Sequence, residues 1–384
     1  MPEREKRKIM VGFDFTTSNY PAALYTLQQW ARCAEGSGLD ITFGVSTALS
    51  RKKVFCFEKI STVRDALLIM AGQCRNFVCW DEFVTDFVFC SVPEMLSRPF
   101  LFYRDFNYGS SVNRLLLLAY AAGCEYLVRV DPGTLPPELD PEQDGGRTKF
   151  GAIVDEHIDL IKGSVKVVSR GYKGRLAIRD LFVYENKKKE HEQLVEGFTG
   201  IDVRRQVTGG AMFTSNVPGL PVVGFGRFGP SKKELTLVWG SDDAISQILP
   251  EMSGSKNMGG VLVPRFDPEG KRKTTVEYYR GVAGMVYLAN FITSGKDVVA
   301  RKKLRRFFHE LKGYFLDPKR YRLESEGKNK SMRREFTLTR VAPEPFLAKI
   351  RDGFLAYKEL VSSDKWMRMA DVLKKVLPSQ IQVF

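Results

Sequence analysis

The chain has 384 residues, 43% of them hydrophobic and 27% charged, and its 59 Lys and Arg against 45 Asp and Glu leave a net charge of +14. These proportions belong to a globular protein with a substantial core, and no apolar run of about 18 residues is present to form a membrane span. The opening MPEREKRKIMVGF is charged but lacks the apolar stretch of a secretory signal, so a cytoplasmic protein is expected.

Lys8 to Phe15 (KIMVGFDF) reads as a strand, followed by a loop and a helix running from near Pro21 to Gly36. Asp40 to Ser46 (DITFGVS) is a second strand, and apolar stretches follow around Val63 to Met70 and Phe83 to Val92. From Asn113 the chain turns helical: Leu116, Ala119, Tyr120 and Gly123 recur at helical spacing, with Gly123 as the stop. Glu125 to Val130 has the apolar composition of a buried strand and ends at Asp131, ahead of Pro132-Gly133. This β-α-β series implies an α/β fold with a mainly parallel central sheet and right-handed crossovers.

Two roles are open to Asp131. Asp commonly starts a Pro-Gly turn. A carboxylate at the carboxyl end of a strand, with no basic residue beside it on the turn, is also a good ligand for a hard metal ion.

Residues 136–148 form a polar loop, followed by a helix (Ala152 to Lys162), a strand pair (Ser164 to Arg170 and Gly174 to Leu181) and a charged excursion, ENKKKEHEQ. Gly209-Gly210-Ala211-Met212-Phe213-Thr214 reads as a glycine turn entering a strand. Leu235 to Trp239 is a further strand, ending in Gly240-Ser241-Asp242-Asp243 at the start of a helix, Ala244 to Leu249. There the acidic pair can cap free N–H groups or do chemistry.

From about Lys296 the chain is helical and basic, with RKKLRR at 301–306, KRYR at 319–322 and MRRE at 332–335. Such a surplus suits an acidic partner: nucleic acid, a phosphorylated substrate or an anionic surface. The interleaved Phe307, Phe308, Tyr314, Phe315 and Tyr321 suit either base stacking or the buried side of an amphipathic helix.

Absent motifs narrow the chemistry. Neither G-x-G-x-x-G after the first strand nor GxxxxGK[ST] occurs, which disfavours a dinucleotide fold and a P-loop NTPase. No G-x-S-x-G elbow is present, and three histidines are too few for a histidine-rich metal centre. Six cysteines (33, 56, 74, 79, 90 and 124) form no CxxC pair and suit reduced, mostly buried thiols.

The Asn113 helix with its strand ending in Asp131, the GGAMFT turn and the GSDD helix start stand in the order seen in one family. Together with KIMVGFDFTTSNYPAALYTLQQW and ITFGVSTA, this order resembles the nucleotide-sugar glycosyltransferases of the GT-A fold, family-2-like, over about residues 8–290. Viral DNA-modifying enzymes offer one form of that resemblance. The family's Asp-x-Asp motif is here Asp131-Pro132-Gly133, so its second carboxylate is missing.

The resemblance implies a Rossmann-like catalytic domain over 1–295, with a nucleotide-sugar part (8–135) and an acceptor part (136–295). A basic helical C-terminal region (296–384) completes the chain. It implies a nucleotide-sugar donor (a UDP-sugar) and transfer to a hydroxyl acceptor that is polyanionic: modified DNA, or a phosphorylated or surface glycan. Asp242 or Asp243 would be the catalytic base. Asp14, Thr16 and Thr17 would meet the nucleotide, with Asn113 on the helix that leads to the Asp131 strand. Gly209 and Gly210 would let donor or acceptor approach closely. Asp131 would hold Mn²⁺ or Mg²⁺ and the diphosphate, with Thr134 as an outer-sphere helper; alternatively Arg265, Lys271 or Arg272 would neutralise the diphosphate without metal. A nucleotidyltransferase and a non-enzymatic nucleic-acid-binding protein are the competing readings.

Overall fold

The structure, a computed structural model, describes residues 7–15, 20–47, 63–91, 108–136, 149–161, 165, 167–173, 185–200, 212–214, 256–264, 275–316, 337–362 and 368–375. Strand β1 (Lys8–Phe15) alternates between two faces, as the period of a strand requires. Ile9, Val11 and Phe13 belong to one core and Met10 to another, which places Gly12 and Asp14 on the Met10 face. Helix α1 (Tyr20–Glu35) returns the chain to β2 (Asp40–Thr47), and α2 (Val63–Ala71) leads to β3 (Phe77–Trp80). Helices α3 (Glu82–Ser91) and α4 (Tyr108–Ala121) precede β4 (Tyr126–Val130).

Strands β1 to β4 are mutually parallel, with β2 and β4 on either side of β1 and β3 beyond β2. The sheet continues through β6 (Met212–Thr214), β5 (Val167–Lys173) and β7 (Lys256–Pro264), in the order β3-β2-β1-β4-β6-β5-β7. Among the described strands only β6 is reversed; β7 runs with β5. The fold is therefore α/β, with a mainly parallel central sheet flanked by helices.

Helices α1, α2 and α5 (Lys149–Leu160) bury Leu27, Trp30, Leu67, Met70, Val154 and Ile158 on the Phe13 face. Helix α4 covers the opposite face and packs on β1, β2, β3 and β4. Its close approach rests on the bare Gly12, which pairs in register with Gly44 of β2. A Cβ on Gly12 would stand 2.7 Å from Leu127 Cδ1 and 3.2 Å from Leu115 Cδ1 of α4, and one on Gly44 would meet the Met10 sulfur. The α4 core runs on through α6 (Glu185–Thr199), α7 (Thr275–Ser294), α8 (Asp297–Leu316), α9 (Leu338–Val341), α10 (Glu344–Ser362) and the helical residues 368–375.

Sequence expectation and structure agree closely for β1, α1, β2 and β4; α4 begins at Tyr108, five residues ahead of the expected Asn113, and Gly123 ends its turn at φ +71°. Two segments differ. The charged run ENKKKEHEQ opens α6, because the buried His191 and Val195 and half-buried Leu194 and Phe198 give it an apolar edge at helical spacing. Lys256 to Pro264, to which the sequence reading assigned no element, is strand β7. The elements expected at 174–181, 235–239 and 244–249 lie outside the described residues. No helix among the described residues is long and apolar enough to cross a membrane. All described cysteines are free; Cys33, Cys79 and Cys124 are buried, whereas Cys90 is exposed.

Candidate functional site at the carboxyl edge of the sheet

Strand order reverses between β1 and β4: β2 and β3 are laid to one side of β1 and β4 to the other. Connections leaving neighbouring strands at such a point diverge to opposite faces, and ligands of open α/β sheets bind at the carboxyl ends there. Asp14 is the penultimate residue of β1 and Asp131 directly follows β4. Because Phe13 pairs with Val130, Asp14 and Asp131 come next on adjacent strands.

Asp14 is 1% exposed, and neither carboxylate oxygen has a hydrogen-bond partner on another described residue. The hydroxyls of Ser46, its register partner on β2, and Ser111 on α4 are likewise buried without partners among the described residues. Burial pushes the Asp14 carboxyl up to about 6; Arg129 opposes that rise, Asp131 reinforces it, and the residue's own backbone N–H and Arg114 oppose it weakly. An ionised carboxylate out of water without donors is costly, so this group favours its proton.

Arg129 is the residue that sequence reading missed. Two positions before Asp131 on an extended segment, it shares that residue's face, and its Nη2 lies 3.2 Å from Asp131 Oδ1. The expectation that Asp131 stands without a basic neighbour on its turn holds for the turn alone, since the neighbour comes from the strand. Arg114 lies one helical position beyond Asn113 and is equally buried. Its Nη1 donates to the Thr47 carbonyl at 2.6 Å, and burial lowers its pKa to about 10 against the pull of Asp14. Two carboxylates and two guanidiniums thus meet where β1, β2 and β4 end.

The turn carrying Asp131 is braced from α1. Thr134 N–H donates to the Asp131 carbonyl, Gly133 N–H to Thr26 Oγ1 at 2.8 Å, and Trp30 Nε1 to the Thr134 carbonyl at 2.8 Å. Gly133 sits at φ +90°, a conformation that L side chains rarely adopt.

These residues do not fit a divalent cation. Among the described residues no group of three His, Cys, Asp or Glu side chains is placed to hold a metal. A cation on Asp131 would compete with Arg129 already on that carboxylate. Position 133 is a glycine tied through its backbone N–H to Thr26.

Of the other expected site residues, Asn113 is fully buried on α4. Thr16, Thr17, Gly209, Gly210, Asp242, Asp243, Arg265, Lys271 and Arg272 lie outside the described residues. Reversed strand β6 begins at Met212, opposite Val128, so the chain enters it from the edge where β4 ends.

The basic region divides by role. In α8, Ala300, Leu304, Phe307, Phe308 and Leu311 are buried at helical spacing, so Phe307 and Phe308 serve the core. Arg301 is structural: its Nε donates to Asp297 Oδ2 at 2.6 Å, and both terminal nitrogens engage Glu344 of α10. Lys302, Lys303, Arg305, Arg306 and His309 are exposed, with Arg306 also bonded to Glu310. Tyr321 and the basic runs at 319–322 and 332–335 lie outside the described residues.

No protein-family model matches the chain, and no curated protein matches it in sequence. Among solved structures it is similar to TarS of S. aureus, at 11% identity and a TM-score of 0.38 over 93% of this chain and 55% of that one. A 1–349 form of TarS is 90% covered at the same identity and score. Mannosyl-3-phosphoglycerate synthase from Rubrobacter xylanophilus is similar at 9% identity and a TM-score of 0.41, over 75% of each chain.

Proposed function

We propose that the chain is a glycosyltransferase that moves a sugar from a nucleotide-sugar donor, a UDP-sugar, to a hydroxyl on a polyanionic acceptor. The observation that carries this reading is the pair Asp14 and Asp131 at the carboxyl ends of β1 and β4, on either side of the point where strand order reverses. The Asp14 carboxylate and the Ser46 and Ser111 hydroxyls, buried without partners among the described residues, support a site meant for a ligand, because such groups are ordinarily satisfied.

In this reading Asp14, Thr16 and Thr17 meet the base and ribose, with Asn113 behind them. Gly209 and Gly210 let donor or acceptor come close to the backbone. Asp242 takes the acceptor hydroxyl's proton as the new bond forms, while Asp243 caps the helix. The departing nucleoside diphosphate gathers negative charge as the glycosidic bond breaks, so fixed positive charge must face it. Arg265 and Lys271 add to that charge. The exposed Lys302, Lys303 and Arg305 of α8 support a polyanionic acceptor, modified DNA or a phosphorylated glycan.

A thermal-shift panel of nucleotides and nucleotide sugars tests the donor, since a ligand that binds only the folded chain raises its melting point. One nucleoside diphosphate and its sugar conjugate should stabilise the protein above all others. A panel without any shift overturns the reading. A gel shift with duplex DNA at low salt tests the acceptor: retardation that vanishes at moderate salt is expected, and none at low salt removes DNA.

A further inference from the structure

We propose that the solvent face of α8, together with Leu355 of α10, docks on an anionic lipid bilayer, with Val298 and Leu355 entering the headgroup layer and Lys302, Lys303 and Arg305 meeting lipid phosphates. The inference goes beyond sugar transfer: it says where the chain sits and needs neither donor nor acceptor.

The side of α8 turned away from the core carries Val298, Lys302, Arg305 and His309 as one exposed stripe at helical spacing, with Val299 and Lys303 beside it. The nearest acids are answered within the protein, Asp297 by Arg301 and Glu310 by Arg306. Lys302, Lys303 and Arg305 pair with no carboxylate among the described residues, so their charge is turned to the solvent.

The apolar part of the face is as exposed as the basic part. Val298 is 77% exposed at the start of α8, and Leu355 is 50% exposed on α10. They belong to the same end of the helical layer. Glu344 opens α10 against Arg301, and further on the charge of Arg351 acts on Asp297, so α10 runs back along α8. Leu355, about one turn after Arg351, therefore comes toward the N-terminal end of α8, where Asp352 is already bonded to Arg351. Branched apolar side chains left in water gain by entering hydrocarbon, and cations gain near a negative surface. A nucleic-acid duplex offers phosphates but nothing to cover Val298 and Leu355, whereas a bilayer receives both kinds of group. Neither α8 nor α10 is apolar enough to cross it, so both lie at its surface.

Co-sedimentation of the full-length protein with vesicles decides it, comparing phosphatidylcholine alone with phosphatidylcholine carrying about one-third phosphatidylglycerol. Only the anionic vesicles should retain the chain, and less of it as salt rises. Lys302→Gln with Lys303→Gln should weaken retention by about tenfold or more, since each cation near such a surface contributes about fivefold. Val298→Ser with Leu355→Ser, which changes no charge, should weaken it by about tenfold. All four positions are exposed, and circular dichroism confirms that each variant is folded.

No retention by anionic vesicles, or equal retention by neutral ones, overturns the proposal. Unchanged retention of the serine pair does so too, because it marks a basic face without apolar contact. Duplex DNA that strips the unaltered chain from the vesicles at equal phosphate concentration marks a nucleic-acid surface and likewise overturns it. The nucleotide panel bears on none of these outcomes, so the donor reading and this one fail separately.

Discussion

Arg129 and Asp131 stand two residues apart on one face of the chain, the first at the end of β4 and the second on the turn beyond, and their side chains close a nearly buried ion pair. Removing one partner leaves the other charge stranded, which costs about 3–5 kcal/mol when burial is complete. Asp131 keeps 14% exposure. Arg129→Met should therefore lower unfolding stability by about 2–4 kcal/mol, and adding Asp131→Asn should recover part of that loss in urea titrations.

Asp14 and His191 give the stability–pH curve two opposing slopes. The Asp14 carboxyl is raised from 3.8 to about 6 by burial, so the folded chain holds a proton that the unfolded chain releases. Its contribution is full below the unfolded value and is lost as pH rises toward 6. His191, packed edge-on to Tyr279, is lowered from 6.5 to about 4 by burial. Its contribution is full above the unfolded value and is lost as pH falls toward 4. Between pH 4 and 6 the two nearly cancel. Asp14→Asn should stabilise the protein at pH 7 and expose a curve rising with pH, whereas His191→Phe should expose a falling one. Melting temperatures across that range check both signs.

Gly44 is the bare floor beneath Met10. A Cβ there meets the Met10 sulfur and stands 3.1 Å from its Cγ, so Gly44→Ala forces that side chain off its rotamer. A loss of about 1–2 kcal/mol is expected by thermal or chemical melting. Pairing the change with Met10→Ala should relieve the clash at the cost of a small void.

Asp297 links two helices and, through Arg301, reaches a third. Desolvation works against its charge, but bonds from Arg301 and from the Tyr287 hydroxyl prevail and hold its carboxyl below the ordinary value. Arg301→Ala removes both this bond and the fork onto Glu344 and should cost about 1–3 kcal/mol. Glu344→Ala, which leaves the Asp297 bond in place, should cost less than half as much, because that carboxylate is 67% exposed.

Asp242→Asn should reduce turnover by about 10²–10⁴-fold with binding of the donor unchanged, if that carboxylate takes the acceptor's proton. Asp243→Asn should lower stability more than rate. Single-turnover assays paired with melting curves separate the two outcomes.

The elements that sequence disclosed are those whose apolar pattern has a clean period. β1 and β2 read as strands because Ile9, Val11, Phe13, Ile41, Phe43 and Val45 alternate, and α4 read as a helix because Gly123 stops a regular apolar run. The four-residue β3 is too short to show a period, and α6 hides its apolar edge under charge. Asp14 and Asp131 were visible because each closes an apolar strand. Arg129 was not, since a lone arginine within an apolar strand is informative only once its two-residue offset from Asp131 is seen as a shared face. Arg114 depends on something sequence does not state, the closeness with which α4 settles on Gly12.

One apolar continuum joins Leu115, Leu118 and Leu127 around the sheet to Phe307, Leu311, Ile350 and Leu373 in the C-terminal helices. A chain severed after Gly295 would leave one wall of that interior facing water, and what remained would be sticky and ill-formed. Sheet and tail should instead melt in a single cooperative step. The switch-point quartet consequently owes its rigidity in part to side chains more than a hundred residues away along the backbone, and engineering of either end has to treat the two as one body.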